Sequence, residues 1–495
     1  MLSAIIFLPL IGAVVIALLP RDSVRGPKWV AALFSAASLV VSLVMFYQYN
    51  RAADGPQFVE RYLWMPTLNI QYYLGVDGLN LPMVVLTTLL TFLAILGSWN
   101  PIKFRLKEYY ALLLLLELGI LGVFSSLDML MFFLFWEVEL IPMYLLISIW
   151  GPAPERREYA ALKFVLYTVF GSALMLVGIL TLYFNSTPHT FDMMVLRQSS
   201  LPAIVQTIAF IFLFVAFAIK LPVFPLHTWL PWAHVEAPTA VSVLLAGVLL
   251  KMGGYGMFRL CYSLLPDAAK QFAIVIAVLA VINILYGAIV SMVQDDLKKL
   301  VAFSSVSHMG YVLLGLAAMN HLSLSGAALQ MFTHGTITGL MFLLVGGVYE
   351  KTHTRSIARM GGLAPMMPWL AIFWVMAGLA SLGLPGMSGF VAEFLVFLGA
   401  YQAPGMAVYT VLGAAGIVVT AAYILWMLQR VFFGPVKSGM EHVQDAKGLD
   451  LVPLFVLMAV VLLVGIYPAI LTDIIGPGVE PIINKIGPAM AVALR

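Results

Sequence analysis

Charged residues are scarce in this chain: aspartate, glutamate, lysine and arginine make up 10% of its 495 residues, while 62% are hydrophobic. So few charges could not cover the surface of a soluble domain of this length. The single cysteine, Cys261, excludes an internal disulfide framework and a cysteine-ligated iron–sulfur cluster. The sequence also has no GxGxxG before a helix, no P-loop and no CxxC motif. These absences predict a membrane protein without redox chemistry of its own.

Long apolar runs are the feature that the chain has in abundance. A helix needs roughly 20 residues to cross the hydrocarbon core of a bilayer. The first run lacks a basic n-region and a small-residue cleavage site, so we interpret it as a transmembrane helix rather than a signal peptide. We expect an all-α membrane protein, a single transmembrane domain over 1–495 with about fourteen spans. The runs lie near 2–20, 28–48, 80–99, 109–126, 128–150, 160–184, 201–231, 238–263, 271–293, 298–319, 323–349, 365–399, 406–432 and 450–471.

Lysines and arginines are distributed unevenly between the connecting loops. The odd-numbered loops contain 16 of them, against 6 in the even-numbered loops and the C-terminal tail. Basic residues concentrate in cytoplasmic loops. The odd loops are therefore expected to face the cytoplasm or an equivalent matrix, and both termini the opposite side.

One apolar stretch is too long for a single span and carries unusual polar residues. It runs over 201–231, and Pro222 follows Lys220 in its middle. Proline removes a backbone donor and frees a carbonyl, and such breaks are tolerated where the backbone lines a cavity rather than lipid. We therefore expect a helix broken at Leu221-Pro222, with Lys220 at the end of its first half, beside a polar ion path.

A second over-long stretch repeats this pattern, with a break at Leu384-Pro385-Gly386 before Glu393. Paired broken segments in corresponding positions are typical of transporters built from inverted repeats. We predict two inverted five-helix repeats, over approximately 109–263 and 271–432, with flanking helices at 2–99 and 450–471.

Four ionisable residues inside predicted spans are the main candidates for proton transfer: Glu137, Lys220, Lys251 and Glu393. An unpaired charge at mid-membrane costs at least about 2.5–3.5 kcal/mol on insertion scales. Burial lowers the pKa of a lysine and raises that of a glutamate, and a close pair of the two offsets both shifts. Separating such a pair therefore moves protons. The alternative is a static ion pair that only stabilises helix packing.

Three histidines are candidates for passing protons between these charges. His308 and His334 lie in predicted spans between those of Lys251 and Glu393, and His227 follows the first helix break. Imidazole titrates near neutral pH and can transfer a proton between its two nitrogens. A structural role remains the alternative for His308 and His334.

Four further polar residues have weaker assignments. Glu139 lies about 200° around the helix from Glu137, so both cannot face one cavity, and Glu139 could face a second helix or a neighbouring subunit. Glu117 has no obvious partner. His234 and Glu236 are predicted to lie in a loop, as a cap or a surface polar pair.

Four motifs resemble the antiporter-like membrane subunits of respiratory complex I, the NADH:quinone oxidoreductase, and the similarity covers nearly the whole chain. That family has fourteen helices with two inverted five-helix repeats, and each such subunit is thought to contain one proton path driven by quinone reduction elsewhere. The motifs are FFLFWEVELIPMYLLISIWG, IKLPVFPLHTWLPWAHVEAPTAVSVLLAGVLLKMGGYGMFRL, DDLKKLVAFSSVSHMGYVLLG and GLPGMSGFVAEF.

The resemblance implies a role for each candidate residue. Glu137 would be the fifth-helix glutamate that pairs with the seventh-helix Lys220, Lys251 the central lysine of the eighth helix, and Glu393 the terminal residue of the twelfth. A glutamate at this last position is typical of one of the antiporter-like subunits, whereas the sister subunits tend to have lysine. The connecting histidines would be His227, His308 and His334.

The resemblance also implies the surroundings of the chain. We expect no cofactor on it; FMN, iron–sulfur clusters and quinone would belong to partner subunits. The expected partners are other membrane-arm subunits, including sister antiporter-like subunits, and lipids, but no nucleic acid. The expected location is an energy-coupling membrane: a bacterial inner membrane foremost, with thylakoid or mitochondrial inner membranes as alternatives. Rival functions are a sodium–proton antiporter subunit, a membrane subunit of an energy-converting hydrogenase, and a non-conducting spacer.

Overall fold

The chain folds into a bundle of apolar helices. The computed structural model describes residues 1–20 and 22–487, so Arg21 and Arg495, which the loop-charge count includes, lie outside the described residues. Among the described residues, eleven helical segments are long and apolar enough to cross a membrane, with the interrupted segments Met129–Trp150 and Thr239–Tyr262 each counted once. Four further apolar helices are 10–17 residues long. Helices satisfy their backbone hydrogen bonds internally, as the hydrocarbon core requires. The prediction of an integral membrane protein is confirmed.

The N-terminal part contains four apolar helices and one small sheet. The all-helical prediction omitted this sheet, an antiparallel hairpin of β1 (Gln57–Met65) and β2 (Ile70–Val76) in the second loop. Residues of β2 are mostly buried, whereas most of β1 is exposed. The helices around the hairpin are α1 (Leu2–Leu18), α2 (Gly26–Gln48), α3 (Leu81–Gly97) and α4 (Leu106–Ser125).

Interrupted helices form the next part of the bundle. It contains α5 (Met129–Val138), α6 (Leu140–Trp150), α7 (Pro154–Asn185), α8 (Met193–Gln198), α9 (Ala203–Lys220), α10 (Leu230–Glu236), α11 (Thr239–Leu244) and α12 (Leu250–Gly256). The end of α9 at Lys220 confirms the predicted break. Two π-helical turns, Leu245–Leu249 and Met257–Tyr262, flank α12 and were not predicted. Such turns occur frequently at functional sites.

The remaining helices include the second break. It separates α16 from α17 at residues 382–387, where Gly383 and Gly386 adopt positive φ angles of 79° and 91° that side chains disfavour. The predicted interruption at Leu384-Pro385-Gly386 is therefore confirmed. These helices are α13 (Pro266–Met292), α14 (Leu297–Ala318), α15 (His321–Thr352), α16 (Pro368–Ser381), α17 (Ser388–Gln402), α18 (Ala407–Phe432), α19 (Val452–Ile466) and α20 (Ala469–Ile486), with short 3-10 helices at Pro66–Leu68, Ile357–Arg359 and Gly448–Leu451.

Three spans lie at the centre of the bundle and are almost completely enclosed by protein. They are Thr239–Tyr262, α14 and α15, whereas α2 and α19 are peripheral. Small residues permit the close packing: a side chain at Gly310 of α14 would meet the backbone of α13 within 2.9 Å. The three central spans are those that carry Lys251, His308 and His334. These polar side chains are therefore shielded from lipid.

Candidate proton-transfer site

The buried lysine at the first helix break forms an ion pair with a glutamate of another span. Nζ of Lys220 contacts Oε1 of Glu139, and both side chains are at most 1% exposed. Lys220 is the last residue of α9, and Glu139 is the single residue that separates α5 from α6. The ammonium also lies 5.4 Å from the ring centroids of Trp136 and Phe164. The pair is thus enclosed by aromatic side chains.

The expectation that Glu137 pairs with Lys220 is therefore wrong, because Glu139 occupies that position. Residues two apart point to opposite sides of a helix, and Glu137 is only partly buried, whereas Glu139 is fully buried. Glycine at position 119 of α4 lets the helices approach, since a side chain there would come within 3.0 Å of the Glu139 backbone nitrogen. Close packing of Glu139 against α4 thus places its carboxylate, rather than that of Glu137, next to Lys220.

Lys251 and His334 meet at the centre of the bundle. Nζ of Lys251 lies 2.7 Å from Nδ1 of His334, and Nζ also donates a hydrogen bond to the carbonyl of Ala246. Ala246 belongs to the π-helical turn that precedes α12. The hydroxyl of Thr338, one turn further along α15, lies 3.4 Å from the same imidazole nitrogen. The lysine and histidine are therefore positioned for direct proton exchange.

His308 continues this contact towards the second helix break. The ring centroids of His308 and His334 are 5.5 Å apart. Nδ1 of His308 lies 3.2 Å from Oε1 of Glu393, and its Nε2 lies 3.2 Å from the hydroxyl of Ser381. The other oxygen of Glu393 lies against Gly383 in the break, where a side chain would collide with it at 2.9 Å. The structure thus brings Lys251, His334, His308 and Glu393 into one row.

No hydrogen bond or ion pair connects Lys220 with Lys251 among residues 1–20 and 22–487. The two lysine sites adjoin through backbone packing, because a side chain at Gly253 would meet the carbonyl of Phe217 at 2.7 Å and the nitrogen of Leu221 at 2.8 Å. The span of Lys251 therefore lies directly against the end of α9. Its position can respond to rearrangement of the helix break.

His227 lies apart from the row, at an open cleft. Its Nε2 lies 3.3 Å from the hydroxyl of Tyr286. The cleft has a volume of about 360 Å³, and its lining includes Arg156, Lys163 and Lys299 from the basic loops or the adjoining helix ends. The structure therefore places His227 between the basic surface and the helix break, rather than between Lys251 and Glu393.

Three buried polar residues were not expected at depth from the sequence: His234 and Glu236, which were assigned to a loop, and Lys298. His234 lies fully buried in α10, not in a loop, and its ring stacks on Phe342 at 4.5 Å; Glu236 of the same helix is also fully buried. Lys298 is buried and donates a hydrogen bond of 2.5 Å to the carbonyl of Ala237. Lys298 also lines a cavity of about 450 Å³. His234 and Glu236 fall between the predicted spans 201–231 and 238–263, so the sequence contained no signal of their depth.

Comparisons with known proteins identify the family of this chain. The profile of a family described as NADH:quinone oxidoreductase/Mrp antiporter, TM matches residues 126–420. The chain is 42% identical to the NADH-quinone oxidoreductase subunit M of Rhodobacter capsulatus, over 98% of this chain and 96% of that protein. It is 41% identical to the NAD(P)H-quinone oxidoreductase chain 4 of Acaryochloris marina, over 100% and 94% of the two chains.

Solved structures show the same fold. A chain of respiratory complex I from Thermus thermophilus with bound NADH superposes with a TM-score of 0.90 at 31% identity, covering 98% of this chain and 100% of that one. A chain of the Mrp complex from Dietzia superposes with a TM-score of 0.86 at 22% identity, covering 99% and 98%. The second likeness concerns the fold alone.

Proposed function

We propose that this chain, which belongs to the NADH:quinone oxidoreductase/Mrp antiporter transmembrane family, is a proton-translocating, antiporter-like subunit in the membrane arm of an NADH:quinone oxidoreductase. The row of Lys251, His334, His308 and Glu393 is the observation that carries the proposal. Buried ionisable groups are costly in a membrane protein and typically mark ion pathways. Four of them in succession therefore favour proton transfer over a purely structural subunit. The subunit couples quinone reduction in partner subunits to proton pumping.

The ion pair at the helix break serves as the loading site. While Lys220 and Glu139 are in contact, each stabilises the charged form of the other. Separation removes this stabilisation, so the ammonium tends to release a proton and the carboxylate to bind one. Gly253 packs against the same break. A movement of the helix break therefore shifts the neighbouring span that carries Lys251. Water molecules complete the proton path between the two lysines.

The central row transfers the proton laterally. Lys251 gives it to Nδ1 of His334 at 2.7 Å. His334 releases a proton from its other nitrogen to His308, whose ring centroid lies 5.5 Å away, and His308 passes one to the carboxylate of Glu393 at 3.2 Å. Each imidazole can accept a proton at one nitrogen and release one from the other. Glu393 lies beside a helix break, where it serves as the exit or as the junction with the next subunit. His227 supplies protons from its cleft on the basic side.

The overall arrangement follows the family. Fourteen crossings arise when three pairs, α5 with α6, α11 with α12 and α16 with α17, are each counted once and α8, α10 and α20 are not counted. The two repeats extend over approximately 109–263 and 271–432. Loops rich in lysine and arginine face the cytoplasm, and both termini face the other side. The membrane is a bacterial inner membrane. This chain holds no redox centre; FMN, iron–sulfur clusters and the quinone site are in partner subunits.

The test uses the assembled complex in membrane vesicles with the substitution Lys220→Ala. We expect loss of most proton pumping, measured as acidification of the vesicle interior during NADH oxidation, with the membrane arm still assembled. Lys270→Ala is the control, because Lys270 forms only a 3.9 Å contact with Asp267 within one helix turn. Full proton pumping and full quinone-linked turnover in the Lys220→Ala complex would refute the proposed mechanism.

A further inference from the structure

The open cleft beside His227 has a basic lining. We refer to it as the His227 cleft; it has a volume of about 360 Å³ and lies between α7, α10, α13 and α14. Its described lining contains three cations, Arg156, Lys163 and Lys299, and one carboxylate, that of Glu236. Glu236 lies 3.5 Å from Arg156 and balances that charge. The cleft therefore has an excess of positive charge.

The two lysines of the cleft are not neutralised by the part of this chain that the structure describes. Neither Lys163 nor Lys299 has a carboxylate of that part within 4.0 Å of its ammonium group. The two ammonium groups instead lie 5.8 Å and 5.9 Å from the ring centroids of Tyr159 and Trp232. These two rings are 5.0 Å apart and partly exposed. Exposed tyrosine and tryptophan are typical of the headgroup level of a membrane.

A nitrogen of His227 also lacks a partner in the cleft. The side chain is 2% exposed, and its Nε2 lies 3.3 Å from the hydroxyl of Tyr286. Its Nδ1 is buried without a hydrogen-bond partner among the described residues. A buried polar atom without a partner is costly. An anionic oxygen in the cleft would accept a hydrogen bond from Nδ1 in the tautomer that carries a proton there.

An exposed apolar strip continues from the cleft into the membrane. Lys163, Leu166 and Phe170 share one face of α7, because three and seven residues separate the last two from the lysine. The exposed fractions of Leu166 and Phe170 are 61% and 58%. At 1.5 Å per residue, these side chains lie about 5 Å and 10 Å further along the helix than Lys163. The surface thus combines cations at one end with an apolar strip at the other.

We propose that the His227 cleft binds the phosphate of an anionic phospholipid from the leaflet on the basic side of the membrane, with one acyl chain along Leu166 and Phe170. Basic pockets between transmembrane helices on the cytoplasmic or matrix side are typical sites for anionic headgroups. A zwitterionic headgroup would leave the excess positive charge of the cleft unbalanced. A free phosphate ion would leave the apolar strip uncovered. The proposal goes beyond the proposed function and does not depend on proton pumping.

The binding is tested with the assembled complex in phosphatidylcholine vesicles that contain a small fraction of phosphatidylglycerol with a photoreactive diazirine in one acyl chain. Illumination is expected to label residues 163–170, located by mass spectrometry of peptides. An excess of unlabelled phosphatidylglycerol should remove the label, whereas inorganic phosphate at matched ionic strength should not. The same diazirine on phosphatidylcholine should label this segment at least about fivefold less, since each basic residue near the surface favours an anionic lipid by about that factor.

Three results would overturn the proposal. They are equal labelling by both lipids, removal of the label by inorganic phosphate, and no labelling of residues 163–170 because another subunit covers the cleft. The measurement needs neither NADH nor proton pumping, so a failure of the proposed function is recognised separately.

Substitution of the two lysines tests the role of their charge. Lys163→Gln combined with Lys299→Gln is expected to reduce the phosphatidylglycerol label at least about tenfold, and the corresponding pair of arginine variants should retain it. Arg25→Gln combined with Lys447→Gln is the control, because it removes the same charge from exposed positions outside the cleft. If the double glutamine variant does not assemble, the competition between lipids in the unaltered complex still decides. Normal labelling of the assembled double glutamine variant contradicts the proposal.

Discussion

Nζ of Lys251 lies 2.7 Å from Nδ1 of His334, and both side chains are buried in the middle of the bundle. The lysine comes from a span interrupted by π-helical turns and the histidine from the long helix α15. Buried polar groups are costly unless they are paired. This contact therefore fixes the relative position of two spans and, at the same time, connects the first half of the candidate path with the second.

The first prediction separates the two glutamates of the WEVEL segment. Glu139→Gln removes the acid that contacts Lys220, so we expect proton pumping by the assembled complex to fall at least about tenfold, because a positioned proton-transfer group typically contributes about 10²–10⁴-fold. Glu137→Gln should leave most pumping intact in complexes that remain assembled. The reverse order of effects would show that Glu137 is the partner of Lys220 in the working complex.

A second prediction concerns the central lysine. Lys251→Met retains much of the side-chain volume but removes the group that contacts His334, so pumping should fall at least about tenfold while the amount of subunit in the membrane stays normal. Met252→Leu is the matched control, since Met252 is also fully buried on α12 and this exchange conserves volume. Equal losses in both variants would indicate a packing effect only.

A third prediction addresses the connection to Glu393. His308→Ala breaks the row between His334 and Glu393, and we expect pumping to be lost. Ser381→Ala removes a single hydrogen bond to the same imidazole, worth about 1 kcal/mol, so the pumping rate should decrease by no more than about fivefold. Pumping at the normal rate with His308→Ala would exclude the lateral route through this histidine.

A fourth prediction concerns stability. A methyl group at Gly253 would meet the backbone of α9 and Leu221 at 2.7–2.8 Å, and rigid backbone atoms cannot give way cheaply. Gly253→Ala should therefore destabilise the subunit by about 1–3 kcal/mol, measured as a lower midpoint of thermal unfolding in detergent. Gly171→Ala, whose nearest contacts are at 3.4 Å, should be tolerated. A normal midpoint for Gly253→Ala would show that the two spans are not tightly packed.

Some features of the site were accessible from local sequence. Proline cannot continue a helix, so the end of α9 at Lys220 follows from Pro222 alone, and the separation of α16 from α17 follows from Pro385 with its neighbouring glycines. The depth of Lys251 follows from its position within an apolar run. These predictions needed no knowledge of which helices are neighbours.

Other features depend on how helices pack against one another. Glu137 and Glu139 lie in the same apolar run, so the sequence does not distinguish between them as partners of Lys220. Only the close approach of α4 at Gly119 determines that Glu139 contacts the lysine. His234 was misplaced for the same reason: nothing local reveals that Phe342, more than a hundred residues away, covers its ring. The hairpin β1–β2 lies in a loop between two spans. Its two strands pair in a register that no strong apolar pattern in the sequence specifies.

By itself, the amino-acid sequence determined that this chain resides in a membrane and that its helices break beside ionisable groups. Composition and proline positions decide these properties because they act on each segment separately. The tertiary structure alone decided that Glu139, rather than Glu137, accompanies Lys220 and that Lys251 meets His334. Those relationships join residues from different helices, and the rotation of each helix is set by the packing of small and large side chains between neighbours.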